Sequence, residues 1–123
     1  VRTYLEQGIP TGLGTDVAGG AGESVFRAMA DAIQVSKLRW RLVDETCKPL
    51  TAEEAFYLGT KGGGGFFGKA GSFEEGYELD AVLNDESLKH PQPLSLKERL
   101  ERFIYLSDER HIDAKYVAGR KIF

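Results

Sequence analysis

Asp16 stands where a carboxylate can do chemistry, at the end of a short apolar run and ahead of a loop of small residues. Ile9 to Thr15 (IPTGLGT) is mostly uncharged, and its length fits a buried strand better than a helix, with Pro10 near its start. Val17 to Gly22 (VAGGAG) reads as a flexible turn that leaves space beside the carboxylate. In parallel α/β architectures the C-terminal end of a strand is where ligands and catalytic groups collect. A carboxylate there can bind a metal ion or take a proton from an activated water. Asp at such a place commonly caps the turn or the following helix instead. Spacing alone leaves both readings open.

Other motifs carry less. Gly12 to Gly20 is not a phosphate loop, because such a loop needs Lys and Ser/Thr after its last glycine and Ala21 follows Gly20. A dinucleotide fingerprint would require glycine where Val17 stands. Gly62 to Gly65 has two readings, an anion nest or a site of close packing without Cβ atoms, and packing is the simpler one. His90 and His111 have no second histidine at metal-ligand spacing and read as surface residues, and Cys47 has no Cys or His partner at such spacing. Arg39-Trp40-Arg41 mixes base and aromatic without repetition, and Trp40 reads as covering a core edge. A catalytic zinc takes about three protein ligands and an open position. Asp16 is the single good candidate.

The elements that would hold Asp16 follow from local signals. Val1 to Gln7 reads as the end of a helix stopped at Gly8. Ser24 to Val43 reads as the longest helix, with Val25, Phe26, Met29 and Ile33 at helical spacing and Lys37, Arg39 and Arg41 toward its negative end. Thr51-Ala52-Glu53-Glu54 and Ser95-Leu96-Lys97-Glu98 are capping boxes that open two further helices. The last has an expected apolar stripe of Leu96, Leu100, Phe103 and Ile104, with Lys97/Glu101 and Glu98/Arg102 as i,i+4 pairs. Ser72-Phe73 and Leu79 to Leu83 read as short strands around the turn Glu75-Gly76, Leu88 to Pro93 as a loop, and Lys115 to Val117 with Lys121 to Phe123 as a closing hairpin around Ala118-Gly119. No internal repeat is present. The expected fold is mixed α+β, with too few strands to close a barrel or complete a sandwich by itself.

Composition sets the outer bounds. The 123 residues are 41% hydrophobic and 28% charged, ordinary for a globular chain and unlike a disordered one. No apolar run approaches the roughly 20 residues that span a bilayer. A net charge of −3 offers no basic footprint for nucleic acid. One cysteine rules out an internal disulfide and fits a reducing, cytoplasmic compartment. Fourteen of the fifteen glycines lie between Gly8 and Gly76, so turns and close backbone approaches concentrate there. The chain opens on Val and not Met, which raises the expectation that it starts inside a longer reading frame.

The run Gly12-Leu13-Gly14-Thr15-Asp16-Val17-Ala18-Gly19-Gly20, with the long helix through Val35-Ser36-Lys37, resembles guanine deaminases of the amidohydrolase superfamily. The likeness continues through Leu50 to Phe56, Thr60-Lys61-Gly62-Gly63, Gly71 to Leu83 (GSFEEGYELDAVL), Phe103 to Asp108 (FIYLSD) and Tyr116 to Lys121 (YVAGRK). It spans nearly the whole chain in order and covers the C-terminal part of the family's length. Around Phe66 to Ala70 this chain looks shorter than the family, and Gly64-Gly65 replace larger residues.

The resemblance implies the last βα unit of a (β/α)8 metal-dependent hydrolase barrel plus part of a small β-sandwich. Residues 1–70 would end the barrel domain, with Ile9 to Asp16 as its eighth strand. Residues 71–123 would belong to the sandwich, with an intervening helix. In such enzymes the Asp ending this strand contacts zinc and shuttles a proton from the attacking water, so Asp16 is the implied catalytic and metal-binding residue. The implied reaction is hydrolysis of guanine to xanthine and ammonia. The other zinc ligands and the base pocket would precede Val1, which leaves the isolated chain inactive. Alternatives are a chlorohydrolase-like enzyme, another cyclic-amidine deaminase, or a non-catalytic interaction domain descended from one. The expected partners are a small-molecule substrate and a second copy of the chain, in a homodimer that buries Val25, Met29 and Ile33 or the sandwich strands. Neither nucleic acid nor membrane is expected.

Overall fold

A computed structural model describes residues 1–84 and 92–123. Helix α1 (Arg2–Glu6) ends before Gly8, whose φ of +67° is the left-handed conformation a helix stop uses. Helix α2 (Val25–Leu42) opens on the Ser24 hydroxyl, which accepts the Arg27 N–H, and closes with Arg39 and Arg41 in its last turn. Helix α3 (Ala52–Tyr57) starts at the Thr51–Glu54 capping box and runs into a π-helical turn, Leu58–Gly62. A 3₁₀ turn follows at Gly65–Phe67. Helix α4 (Leu96–Leu106) starts at the Ser95–Glu98 capping box.

The helices share one core of Met29, Ala30, Ile33, Leu50, Ala52, Ala55, Leu58 and Ile104. Met29 and Ile33 sit four apart on α2 and so face the same way. Phe103 of α4 meets Phe26 of α2 edge-on at 4.6 Å and Phe56 of α3 at 6.3 Å. Ser36 ties α2 to the next segment, since its hydroxyl donates to the Ile33 carbonyl and accepts the Leu50 N–H. The Arg2 guanidinium clamps α1 to α3 through a two-pronged bond to Glu54 at 2.7 and 2.6 Å, and it also donates to the Lys48 and Pro49 carbonyls.

Strands β1 (Ala81–Asn84), β2 (Ile112–Val117) and β3 (Arg120–Lys121) form an antiparallel sheet in that order. Ala81 stands opposite Tyr116, and Tyr116 opposite Lys121. The β2–β3 turn puts Ala118 and Gly119 at φ +48° and +76°, the paired left-handed geometry whose twist matches the strands. Asp80 accepts the Ala118 N–H and the Leu79 carbonyl accepts the Gly119 N–H, which latches the turn to the approach to β1.

Five expectations change. Ile9 to Thr15 is not a strand, because among the described residues no strand edge lies beside it to pair with. Ser72-Phe73 is not a strand either, and the sheet segment begins at Ala81. Leu96 is 79% exposed and outside the α4 stripe, while Lys97 pairs with Glu53 of α3 at 3.4 Å and not with Glu101. Met29 and Ile33 are each 2% exposed against their own chain, so that face is not free to build a homodimer. His90 and most of the predicted Leu88–Pro93 loop lie outside the described residues.

Candidate active site

The segment leading to Asp16 is held by the π-helical turn. Leu13 donates its N–H to the Leu58 carbonyl at 3.0 Å and places its side chain against the helical core. A Cβ on Gly12 would stand 2.5 Å from the Gly63 Cα, and one on Gly62 would stand 2.7 Å from the Thr11 carbonyl oxygen. Both main chains therefore approach within a distance that only glycine permits. A Cβ on Gly64 would meet the Ala70 carbonyl oxygen at 2.3 Å. Within the four-glycine run the steric reading holds at Gly62 and Gly64, whereas a Cβ on Gly65 would meet nothing within 4 Å.

Asp16 is exposed and has φ +47°, a left-handed conformation that Asp tolerates better than most residues. Its main-chain carbonyl closes the following turn by accepting the N–H groups of Gly19 and Gly20. The helix cap is Ser24. The two readings of Asp16 thus divide between its atoms: the carbonyl caps the turn, and the carboxylate stands outside that hydrogen bonding. The carboxylate rests over Gly19, where a Cβ would come within 2.7 Å of Oδ2. Beyond the turn lies a shallow cavity of about 170 Å³ lined in part by Gly14, Thr15, Gly22, Ser24, Arg27 and Asp31. Arg27 and Asp31 pair with each other at 2.9 Å.

Among the described residues no group of three or more His, Cys, Asp or Glu side chains could hold a metal ion. Asp16 offers one donor, which is not a metal centre by itself. His111 is engaged elsewhere: Nδ1 accepts the Asp108 N–H at 3.2 Å and lies 3.1 Å from the Asp108 carboxylate. The neighbouring Arg110 guanidinium holds the Asp108 carboxyl well below the usual range. Cys47 is a free, half-buried thiol, and Trp40 is 40% exposed.

Sequence reasoning singled out Asp16 as a candidate and missed the π-helical turn that grips the segment before it. The available signal was a coincidence of composition, the glycines Gly12 and Gly14 in one stretch and the run Gly62–Gly65 in another.

The pattern of the amidohydrolase family matches residues 1–122. Guanine deaminase of Dictyostelium discoideum is 35% identical over 99% of this chain and 29% of its own length. The human guanine deaminase is 38% identical over the same shares. A crystal structure of guanine deaminase from C. acetobutylicum, with guanine bound in its active site, superposes with a TM-score of 0.92 at 49% identity, covering 99% of this chain and 29% of that one. The chain thus spans a little under a third of the length of these relatives, and it belongs to the amidohydrolase family.

Proposed function

We propose that this chain is the C-terminal part of a guanine deaminase, which hydrolyses guanine to xanthine and ammonia. The observation that carries the reading is the close superposition, over nearly all of this chain, on an enzyme holding guanine. Asp16 is its catalytic residue here. Its carboxylate takes a proton from the attacking water and passes it to the departing nitrogen, a task suited to a base that no capping bond occupies. Zinc is the metal this reading implies. When bound it would lower the pKa of a water molecule, with Asp16 as one donor and the remaining donors outside these 123 residues. The chain alone is therefore inactive.

In the same reading residues 1–70 close a (β/α)8 barrel domain and residues 71–123 contribute to a small sandwich, with α4 joining the two through Ile104 in the helical core. The single Cys47 supports a cytoplasmic setting, and among the described residues no helix is long and apolar enough to cross a membrane. A homodimer would use exposed faces other than that of Met29 and Ile33.

The test is turnover by the full-length protein, following xanthine and ammonia with and without zinc. Asp16→Asn should lower kcat by about 100-fold or more, the usual contribution of a positioned proton-transfer group. Full activity in that variant would remove the assigned role. A substrate panel of purines, pyrimidines and triazines separates guanine from the cyclic amidines of related enzymes.

A further inference from the structure

We propose that the π-helical turn Leu58–Gly62, together with Gly63, is the positioning element for Asp16, and that Gly12 and Gly62 are positioning residues because a Cβ at either would move the Asp16 segment. The inference rests on the reading of Asp16 as the proton-transfer group, and it adds how that group is placed.

Three contacts fix the segment from one side. The Leu58 carbonyl takes the Leu13 N–H at 3.0 Å, the Gly12 and Gly63 main chains touch without side chains between them, and Gly62 lies against the Thr11 carbonyl. The turn is itself fixed from the other side. A Cβ on Gly71 would stand 2.5 Å from the Thr60 carbonyl oxygen, and Lys61 pairs with Glu74 at 2.6 Å while lying 5.4 Å from the Tyr77 ring centre. Two residues beyond Leu13 the chain reaches Thr15. There the turn closed by the Asp16 carbonyl leaves no room either, since a Cβ on Gly20 would come within 1.9 Å of the Thr15 carbonyl oxygen. Asp16 is therefore held between an anchored stretch before it and a tight turn after it. Only Gly14 and Thr15 separate the anchored Leu13 from Asp16, so a backbone displacement at Gly12 has a short path to the carboxylate. Helical turns widened to the π form recur at functional sites for this kind of re-aiming.

Two readouts test this. Amide hydrogen exchange on the full-length protein reads the geometry without any activity. Gly12→Ala and Gly62→Ala should each speed exchange at the Leu13, Gly19 and Gly20 amides by about tenfold or more, while the amides of α2 and α4 keep their protection. Gly65→Ala, where a Cβ meets nothing within 4 Å, should leave all of them unchanged. Unchanged exchange at Gly19 and Gly20 in both variants would overturn the coupling to Asp16. Loss of protection throughout α2 and α4 would overturn a positioning role in favour of a purely structural one. In the full-length protein Gly12→Ala should lower kcat about 100-fold with KM within about twofold, and an unchanged kcat would overturn the proposal. If the unmodified protein fails to turn over guanine, the assigned reaction falls, and the exchange pattern still decides the positioning claim.

Discussion

At the residue scale, Asp16 divides its labour between main chain and side chain, and that division is open to substitution. Gly19 has no left-handed φ, so alanine is acceptable to its backbone, yet its Cβ would press on Asp16 Oδ2. Gly19→Ala should therefore change stability by less than about 0.5 kcal/mol while lowering kcat by about tenfold or more, as thermal melts and steady-state kinetics of the full-length protein would show. Glu54 carries a second consequence. Its hydrogen bonds from Arg2 hold its carboxyl below the ordinary 4.5, with the Thr51 amide adding to the effect. A carboxyl depressed in the folded state stabilises above its unfolded pKa and loses that contribution as pH falls through the folded value. Stability should drop on acidification below about pH 4.5, and Arg2→Met should flatten that part of the curve in urea titrations across pH. Asp16 could be singled out as a candidate from sequence because a carboxylate ending an apolar run is a local pattern. Arg2 could not, because its partners at Lys48, Pro49 and Glu54 lie far along the chain and no local spacing announces them.

At the scale of elements, the signals that held are the ones a few neighbouring residues determine. Both capping boxes, the long helix after Ser24, the stop at Gly8 and the Ala118-Gly119 turn appear where their residue types require them. Thr51→Ala should cost about 1 kcal/mol, since it removes the acceptor for the Glu54 amide. What failed depended on neighbours. Ile9 to Thr15 has the composition of a strand, but a strand exists only where another edge pairs with it. The π-helical turn escaped because apolar periodicity records which face is buried and says nothing about a locally widened hydrogen-bond pitch. On α4 the apolar stripe assigned Leu96 and Ile104 alike, whereas exposure separates them at 79% and 2%. Ile104→Ala should cost about 2–5 kcal/mol in chemical denaturation. Leu96→Ala should cost less than about 0.5 kcal/mol.

At the scale of the whole molecule, the core is small and several apolar surfaces remain outside it. Val35, Leu38 and Leu42 lie on one face of α2, at 62%, 58% and 76% exposure, and Phe66, Phe67 and Phe73 stand out at 87%, 82% and 79%. Contiguous exposed apolar surface favours association. Sedimentation equilibrium of the 123-residue chain should detect self-association that Leu38→Glu weakens, and a well-folded monomer at high concentration would remove the expectation. The glycine-flanked Phe66-Phe67 pair also makes the chain a natural target for chymotrypsin, since exposed tips between small residues are where proteases nick first. A cut there would separate the two stretches of sequence without separating the folded body. Ile104, from the later stretch, is seated in the core built by the earlier one, and Lys61 reaches across the cut to Glu74. The two fragments should elute together on gel filtration and part only in denaturant, so continuity of the peptide chain is dispensable at a point where the side-chain packing is not.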